Sequence, residues 1–316
     1  MSRLSANISR FSVILGLCCS LLLAGSCIRE NIDDCPVTVE LAFRYYGDGI
    51  TDVFSERVDS VSMWVYRLDG TFRSGERISA AALDTLQGVR LSLPQGDWRL
   101  VFWGNDGESS HVDPRNLEEM IATEEYRSGD TPDRLDRLYH ATVDLSLPMT
   151  LRVQRDTVEF HSSTVAVTVE MVGFENLDAG SSGVPQLSSD DDEPEILFRH
   201  SDIHAAIGWD NTSSDSRITY EPDISRVDST GSLITHYRVP RFDDSDCGTL
   251  EIHTADGSSQ LWSGDLASIM AEQGITTEGI EEAHVRLKIV RTVDGINGYV
   301  QIRVVPWDSE IVYPIL

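Results

Sequence analysis

The feature that most limits the fold is a period-two alternation that recurs in short runs along the chain. Val37-Thr38-Val39-Glu40-Leu41-Ala42-Phe43-Arg44-Tyr45 places Val37, Val39, Leu41, Phe43 and Tyr45 on one face. Successive strand side chains point to opposite sides of a sheet, so such a run is a half-buried strand. Thr164 to Val172 is the clearest alternating run of the middle of the chain. Val61–Tyr66, Val89–Leu93 and Trp98–Trp103 are further β-rich runs, separated by turn pairs such as Asp69-Gly70 and Gly96-Asp97. Leu135–Leu147 and Leu151–Phe160 read as strands or mixed segments. The second half continues with Ile218–Tyr220, Leu233–Val239, Thr249–His253, His284–Arg291 and Gly298–Val305. Helix is scarce. Asp265 can cap Leu266–Gln273, with Gly274 closing it, and Asn116–Ile121 is a second short candidate. Gly180 to Glu193, rich in Ser, Gly and Asp, reads as an exposed loop. Many short strands with few helices predict an all-β chain of two tandem β-sandwiches, divided near residue 157.

The start of the chain sets its address. Arg3 and Arg10 precede the apolar run Phe11 to Ala24, and the small residues Ala24-Gly25-Ser26 precede Cys27. This is the layout of a secretory signal, and a Cys after small residues points to a bacterial lipoprotein cut before Cys27. The run is 14 residues long, whereas a membrane-spanning helix needs about 20. The expectation is therefore an anchored chain, held through acyl chains on Cys27. Residues 1–26 are the signal, 27–36 a tether, 37–157 the first sandwich and 158–316 the second.

The formal charge of −27 repels nucleic acid and anionic lipid surfaces, so no DNA or RNA partner is expected. Of five cysteines, Cys18 and Cys19 leave with the signal. Cys35 and Cys247 remain beside Cys27. In an exported chain they are candidates for one disulfide, the alternative being two unpaired buried thiols. No catalytic motif is present: no G-x-S-x-G, H-E-x-x-H, Walker loop or Rossmann glycine pattern. The expectation is a non-enzyme without metal or cofactor. His200 and His204 have the i, i+4 spacing of a helical metal pair but lack a third ligand, so hydrogen-bonded histidines are expected. Asp190–Glu193 and Asp243–Asp246 lack the twelve-residue calcium-loop pattern and read as solvated loops. Trp64, Trp98, Trp103, Trp209 and Trp262 are expected to serve mostly as core, with sugar stacking as their alternative.

The stretch Cys27-Ile28-Arg29-Glu30-Asn31-Ile32-Asp33-Asp34-Cys35-Pro36, running into Val37–Phe43, resembles the FimB-type fimbrial anchor family of Bacteroidetes. So do the hairpin Leu93–Gly104 and the run Val165–Val172. The resemblance implies an outer-membrane lipoprotein of two transthyretin-like β-sandwiches at the base of a type V pilus, attaching the filament and limiting its length. Cys27 then matches the lipidated residue, and Glu30, Asp33 and Asp34 match a surface-export signal. The implied partner is a pilin (stalk) subunit, joined by strand donation, in which a strand of one subunit completes a sheet edge of another. Asp308–Leu316 is a candidate for such exchange, but Pro314 would interrupt a ladder, and the favoured expectation is a closing edge strand within its own domain. Four triplets, starting at Asp59, Asp84, Asp156 and Asp228, resemble the phylum's O-glycosylation motif. The alternative function is a tip adhesin or a glycan-binding surface lipoprotein.

Overall fold

A computed structural model of the chain describes residues 36–148, 152–174, 196–293 and 299–309. The first sandwich opposes two sheets. The smaller has the order β4 (Gly88–Leu93), β1 (Val37–Arg44), β9 (Val153–Glu159). The larger has the order β10 (His161–Ser162), β8 (Tyr139–Leu147), β5 (Gly96–Gly104), β2 (Val61–Arg67), β3 (Phe72–Ile78). The alternation of β1 works as expected. Val37, Val39, Leu41 and Phe43 are at most 2% exposed and meet Val61, Met63, Leu100 and Phe102 of the facing sheet in one core. Their intervening residues lie on the outer face.

The second sandwich repeats the plan and enlarges it. One sheet runs β15 (Ile224–Arg226), β16 (Leu233–Pro240), β11 (Thr164–Val172), β19 (His284–Val293), β20 (Val300–Val305). The other runs β14 (Arg217–Tyr220), β12 (Ile196–His204), β17 (Thr249–Thr254), β18 (Gln260–Asp265). In each sandwich the first strand lies between one antiparallel and one parallel neighbour: β4 and β9 around β1, β16 and β19 around β11. The second sandwich then adds β15 and β20 outside these, and the first adds no strand there among the described residues. Gly173 ends β11 with φ +83°, where a Cβ would fall 2.2 Å from the Arg291 carbonyl, so only glycine fits this close approach.

Among the described residues four helices punctuate the strands: α1 (Phe54–Arg57), α2 (Ala80–Leu86), α3 (Glu124–Ser128) and α4 (Leu266–Gln273). α4 follows its sequence signals. Asp265 accepts from Ser268 N at 2.9 Å, Gly274 is left-handed, and Leu266, Ile269 and Met270 are buried. The helix expected over Asn116–Ile121 does not form. Asn116 instead accepts from Glu119 N in a turn, and Ile121 opens β7 (Ile121–Thr123). The expected division near 157 falls inside β9, and sheet partners change only after Ser162, where β10 still pairs with β8. The all-β, two-sandwich architecture holds.

The halves are joined by a third small sheet, β13 (Ala206–Ile207), β7, β6 (Ser110–Val112), in which β13 of the second half pairs with β7 of the first. Beside it lies an apolar cluster containing Trp103, Met120, Ile121, Leu138 and Ile207. Trp103 and Val101 thus serve a second core on the outer face of β5, which explains why Leu100–Trp103 is apolar throughout rather than alternating.

Candidate functional site

Strand directions give the molecule two poles. β1 starts at Val37, next to the tether, and ends at the junction, where Tyr45 donates to Glu282 at 2.8 Å. Eight residues at about 3.3 Å each separate these ends by roughly 25 Å. β11 starts at the junction and runs away from it, and β19 runs parallel to it as far as Val293. Val293 and Val300, where β19 ends and β20 begins, therefore lie at the end of the second sandwich away from the junction.

The junction is held by ionised and hydrogen-bonded groups. Glu282 accepts from Tyr45 and from Tyr139 (3.0 Å) and pairs with Arg137. Burial would raise its carboxyl, but the bonds from Tyr45 and Arg137 outweigh it and hold the group below the usual carboxylate range. Asp48 accepts from the backbone of Glu281 (2.7 Å) and Glu282 (3.1 Å). Glu281 in turn meets His161 at 2.9 Å. On the other side Trp209 donates its backbone N–H to Leu117 O (2.9 Å), and its carbonyl meets His140 Nε2 (2.8 Å). Burial lowers His140 to about 4, which keeps it neutral at physiological pH.

The edges of the two sandwiches differ in chemistry. On β9, register pairs Gln154, Asp156 and Val158 with the inward residues Val39, Leu41 and Phe43, so the inner side of this edge carries a carboxylate. β3 likewise sets Glu76 opposite the inward Met63. Inward charges at an edge discourage further strands. β4 presents Val89, Leu91 and Leu93 inward, but Val89 and Leu93 are already buried. β20 is different. Ile302 and Val304 pack against the second core while only partly buried, and Tyr299 and Val300 are 75% and 53% exposed at the end away from the junction. Among the described residues β20 has no neighbour on its outer side, and a strand laid there would complete the burial of these apolar groups and pair the backbone ladder. A groove of about 700 Å³ on the small sheet is lined by Glu40, Arg90, Arg155 and Asp156 among others, and there Glu40 already pairs with Arg90 and Arg155.

Cys27, Glu30, Asp33, Asp34 and Cys35 lie outside the described residues, as do the whole loop expected over 180–193, Asp190–Glu193 included, and 310–316 of the C-terminal exchange candidate. Cys247 is buried in the second sandwich, its thiol pushed up to about 12 chiefly by burial, and its carbonyl meets His200 Nε2 at 2.7 Å. To bridge it, the tether would have to run back along β1 and past the junction. His200 and His204 lie on strand β12, not on a helix. His200 bonds Tyr237 and Cys247, and His204 bonds Ser214 O. Among the described residues no three His, Cys, Asp or Glu side chains gather as a ligand set. Asp244 accepts from Thr277 and Asp246 pairs with Arg217, so this acidic loop is internally bonded. Trp98 and Trp103 are fully buried, and Trp64, Trp209 and Trp262 partly so. Thr85, Thr157 and Ser229 of the candidate glycosylation triplets are exposed, and Ser60 is half-buried. The β20 edge is the site that sequence reasoning missed: its residues read as a strand, but only sheet order reveals which strand ends a sheet.

The profile of the fimbrillin-A-associated anchor proteins Mfa1 and Mfa2 matches residues 32–313. The chain belongs to this family. It is accordingly a fimbria-associated protein of the cell surface. Three solved structures are similar in fold. The fimbrial anchor protein Mfa2 of Porphyromonas gingivalis has a TM-score of 0.62 at 14% identity, covering 86% of this chain and 98% of that one. A candidate adhesin of Bacteroides ovatus has a TM-score of 0.61 at 17% identity, covering 89% and 96%. A candidate polysaccharide-binding protein of Bacteroides thetaiotaomicron has a TM-score of 0.60 at 14%, covering 84% and 97%. At these identities the likeness speaks for the fold. No curated protein matches the chain significantly. Among the described residues no helix is long and apolar enough to cross a membrane.

Proposed function

We propose that this chain anchors a fimbria to the outer membrane and limits its length. Cys27 carries the lipid, the tether leads into β1, and the junction joins the two sandwiches into one body. The first filament subunit adds an extended strand to β20. The observation that carries this reading is the apolar, partly covered β20 edge of the second sandwich, in a member of the anchor family. Glu30, Asp33 and Asp34 act in export to the outer face. The protein has no reaction of its own. In support, Glu282, Glu281, Asp244, Asp246, His200 and His140 are each engaged in structural bonds.

Acyl chains contribute about 0.8 kcal/mol per buried CH₂, and stable holding takes more than one chain. The Cys27→Ala variant is therefore expected to leave soluble protein and to release filaments into the medium. Electron microscopy of cells and culture supernatant reads this out. Normal, cell-attached filaments of normal length in that variant would overturn the anchor function.

A further inference from the structure

β20 pairs with β19 only over Lys288–Val293, so among the described residues His284–Leu287 of β19 have no strand on that side. Beyond Val305 the chain folds back across this open stretch. Trp307 comes within 5.9 Å of the Lys288 ammonium, and Lys288 donates to Ser309 O at 3.3 Å. Between this turn and the C-terminal end of α4 lies a groove of about 360 Å³, lined by Gln273, His284, Arg286, Trp307 and Asp308 among others. That is the lower end of the range for small-ligand clefts.

The groove sets one cation, Arg286, beside one carboxylate, Asp308, in a strongly acidic chain. A protein of formal charge −27 repels anions as a whole, so a place that attracts one has to be built locally. Arg286 is exposed, and among the described residues its one hydrogen bond is from Nε to His284 Nδ1 at 3.3 Å and no carboxylate lies within ion-pair distance of it. Its two terminal amino groups are available as a planar fork, the geometry that fits a carboxylate. Beside it stands a half-buried indole, with an amide from Gln273 and a carboxylate from Asp308 at the rim.

We propose that this groove binds a carboxylated sugar, a uronate or sialate residue within a glycan chain. Arg286 takes the carboxylate. The Trp307 face covers the apolar C–H side of the ring. Asp308 and Gln273 bond its hydroxyls, and the open backbone edge of His284–Leu287 offers further donors and acceptors. Neutral glycans lack the partner for Arg286, and acidic peptides lack the flat C–H face and the paired hydroxyls.

The test titrates the full chain, in detergent, with a panel of uronate- and sialate-bearing trisaccharides by calorimetry. Each is matched by its carboxyl-reduced form and by an acidic peptide of equal charge. At least one acidic trisaccharide is expected to bind, with the reduced form and the peptide weaker by about tenfold or more. Arg286→Gln, an exposed change, is expected to lose about tenfold for the acidic sugar and little for the reduced one. Trp307→Ala is expected to weaken both, with Trp307→Phe restoring part of the loss. No binding across the panel, equal binding of acid and reduced forms, peptide binding as tight as sugar, or an undiminished Arg286→Gln would each overturn the site. Filament attachment is not read in this experiment, so its outcome is independent of the anchor function.

Discussion

β9 and β20 are both edge strands, yet they treat an approaching strand in opposite ways. On β9 the inward position beside Leu41 is Asp156, so pairing along this edge would draw an unpaired carboxylate toward an apolar core. On β20 the inward positions are Ile302 and Val304, and both still have apolar surface to bury. β9 is thus guarded against strand addition by charge, whereas β20 is left open among the described residues. A surface protein that must meet one partner strand and refuse others can do so by placing a single charge correctly.

Transplanting the charge tests this contrast most severely. Ile302→Asp with Val304→Asp gives β20 the device of β9, and is expected to weaken binding of the first filament subunit on the order of 100-fold. Pull-down of the subunit reads the loss, with thermal unfolding as the check that the sandwich remains folded; undiminished capture breaks the comparison. Next in size is the junction that keeps the two edges in one body. Glu282→Ala should cost about 1–3 kcal/mol, because Tyr45, Tyr139 and Arg137 lose their shared acceptor. Calorimetry is expected to split one unfolding transition into two. The same contact has a pH signature. The folded Glu282 carboxyl lies below its unfolded value, so its contribution is complete above the ordinary range of about 4.3 and fades as pH falls through the lowered value. Loosening of the junction on alkalinisation instead would contradict it.

A smaller effect is expected from the reverse exchange. Asp156→Val removes the guard on β9, and self-association should rise by about tenfold, as measured by light scattering after size exclusion. Strictly monomeric behaviour at high concentration would mean that Asp156 guards nothing. The smallest expected change is at Cys247. Its thiol is buried and pushed up to about 12, so alkylation in the folded protein should be slow and should become fast on unfolding. Peptide mapping of the same sample shows whether Cys35 is bonded to it.

The strands with clean alternation were legible from the residues alone. Thr164–Val172 is β11 to the residue, and the α4 caps stand where Asp265 and Gly274 predicted. β12 was not legible, because one of its buried positions is His200 and a register shift interrupts it between His200 and Ile203. β3 was hidden for the opposite reason: most of its residues are exposed, so no alternation marks it. The open edge and the groove escaped as well. Both depend on sheet order and chain reversal, which no single run of residues states, and Trp307 acquires its setting only when the chain folds back over Lys288. Local pattern states that a segment is a strand; only long-range pairing states whether it is an edge.

The central place of β1 bears on how the molecule would respond to force. A pull on the residues before Val37 acts along a strand held from both sides, by β4 over Val37–Ala42 and by β9 over Thr38–Arg44. Ladder hydrogen bonds lie across the strand direction, so tension loads them together in shear instead of opening them one after another. The rate of forced unfolding then depends on breaking the whole set at once. A hairpin pulled from its open end would unzip; this strand has to slide.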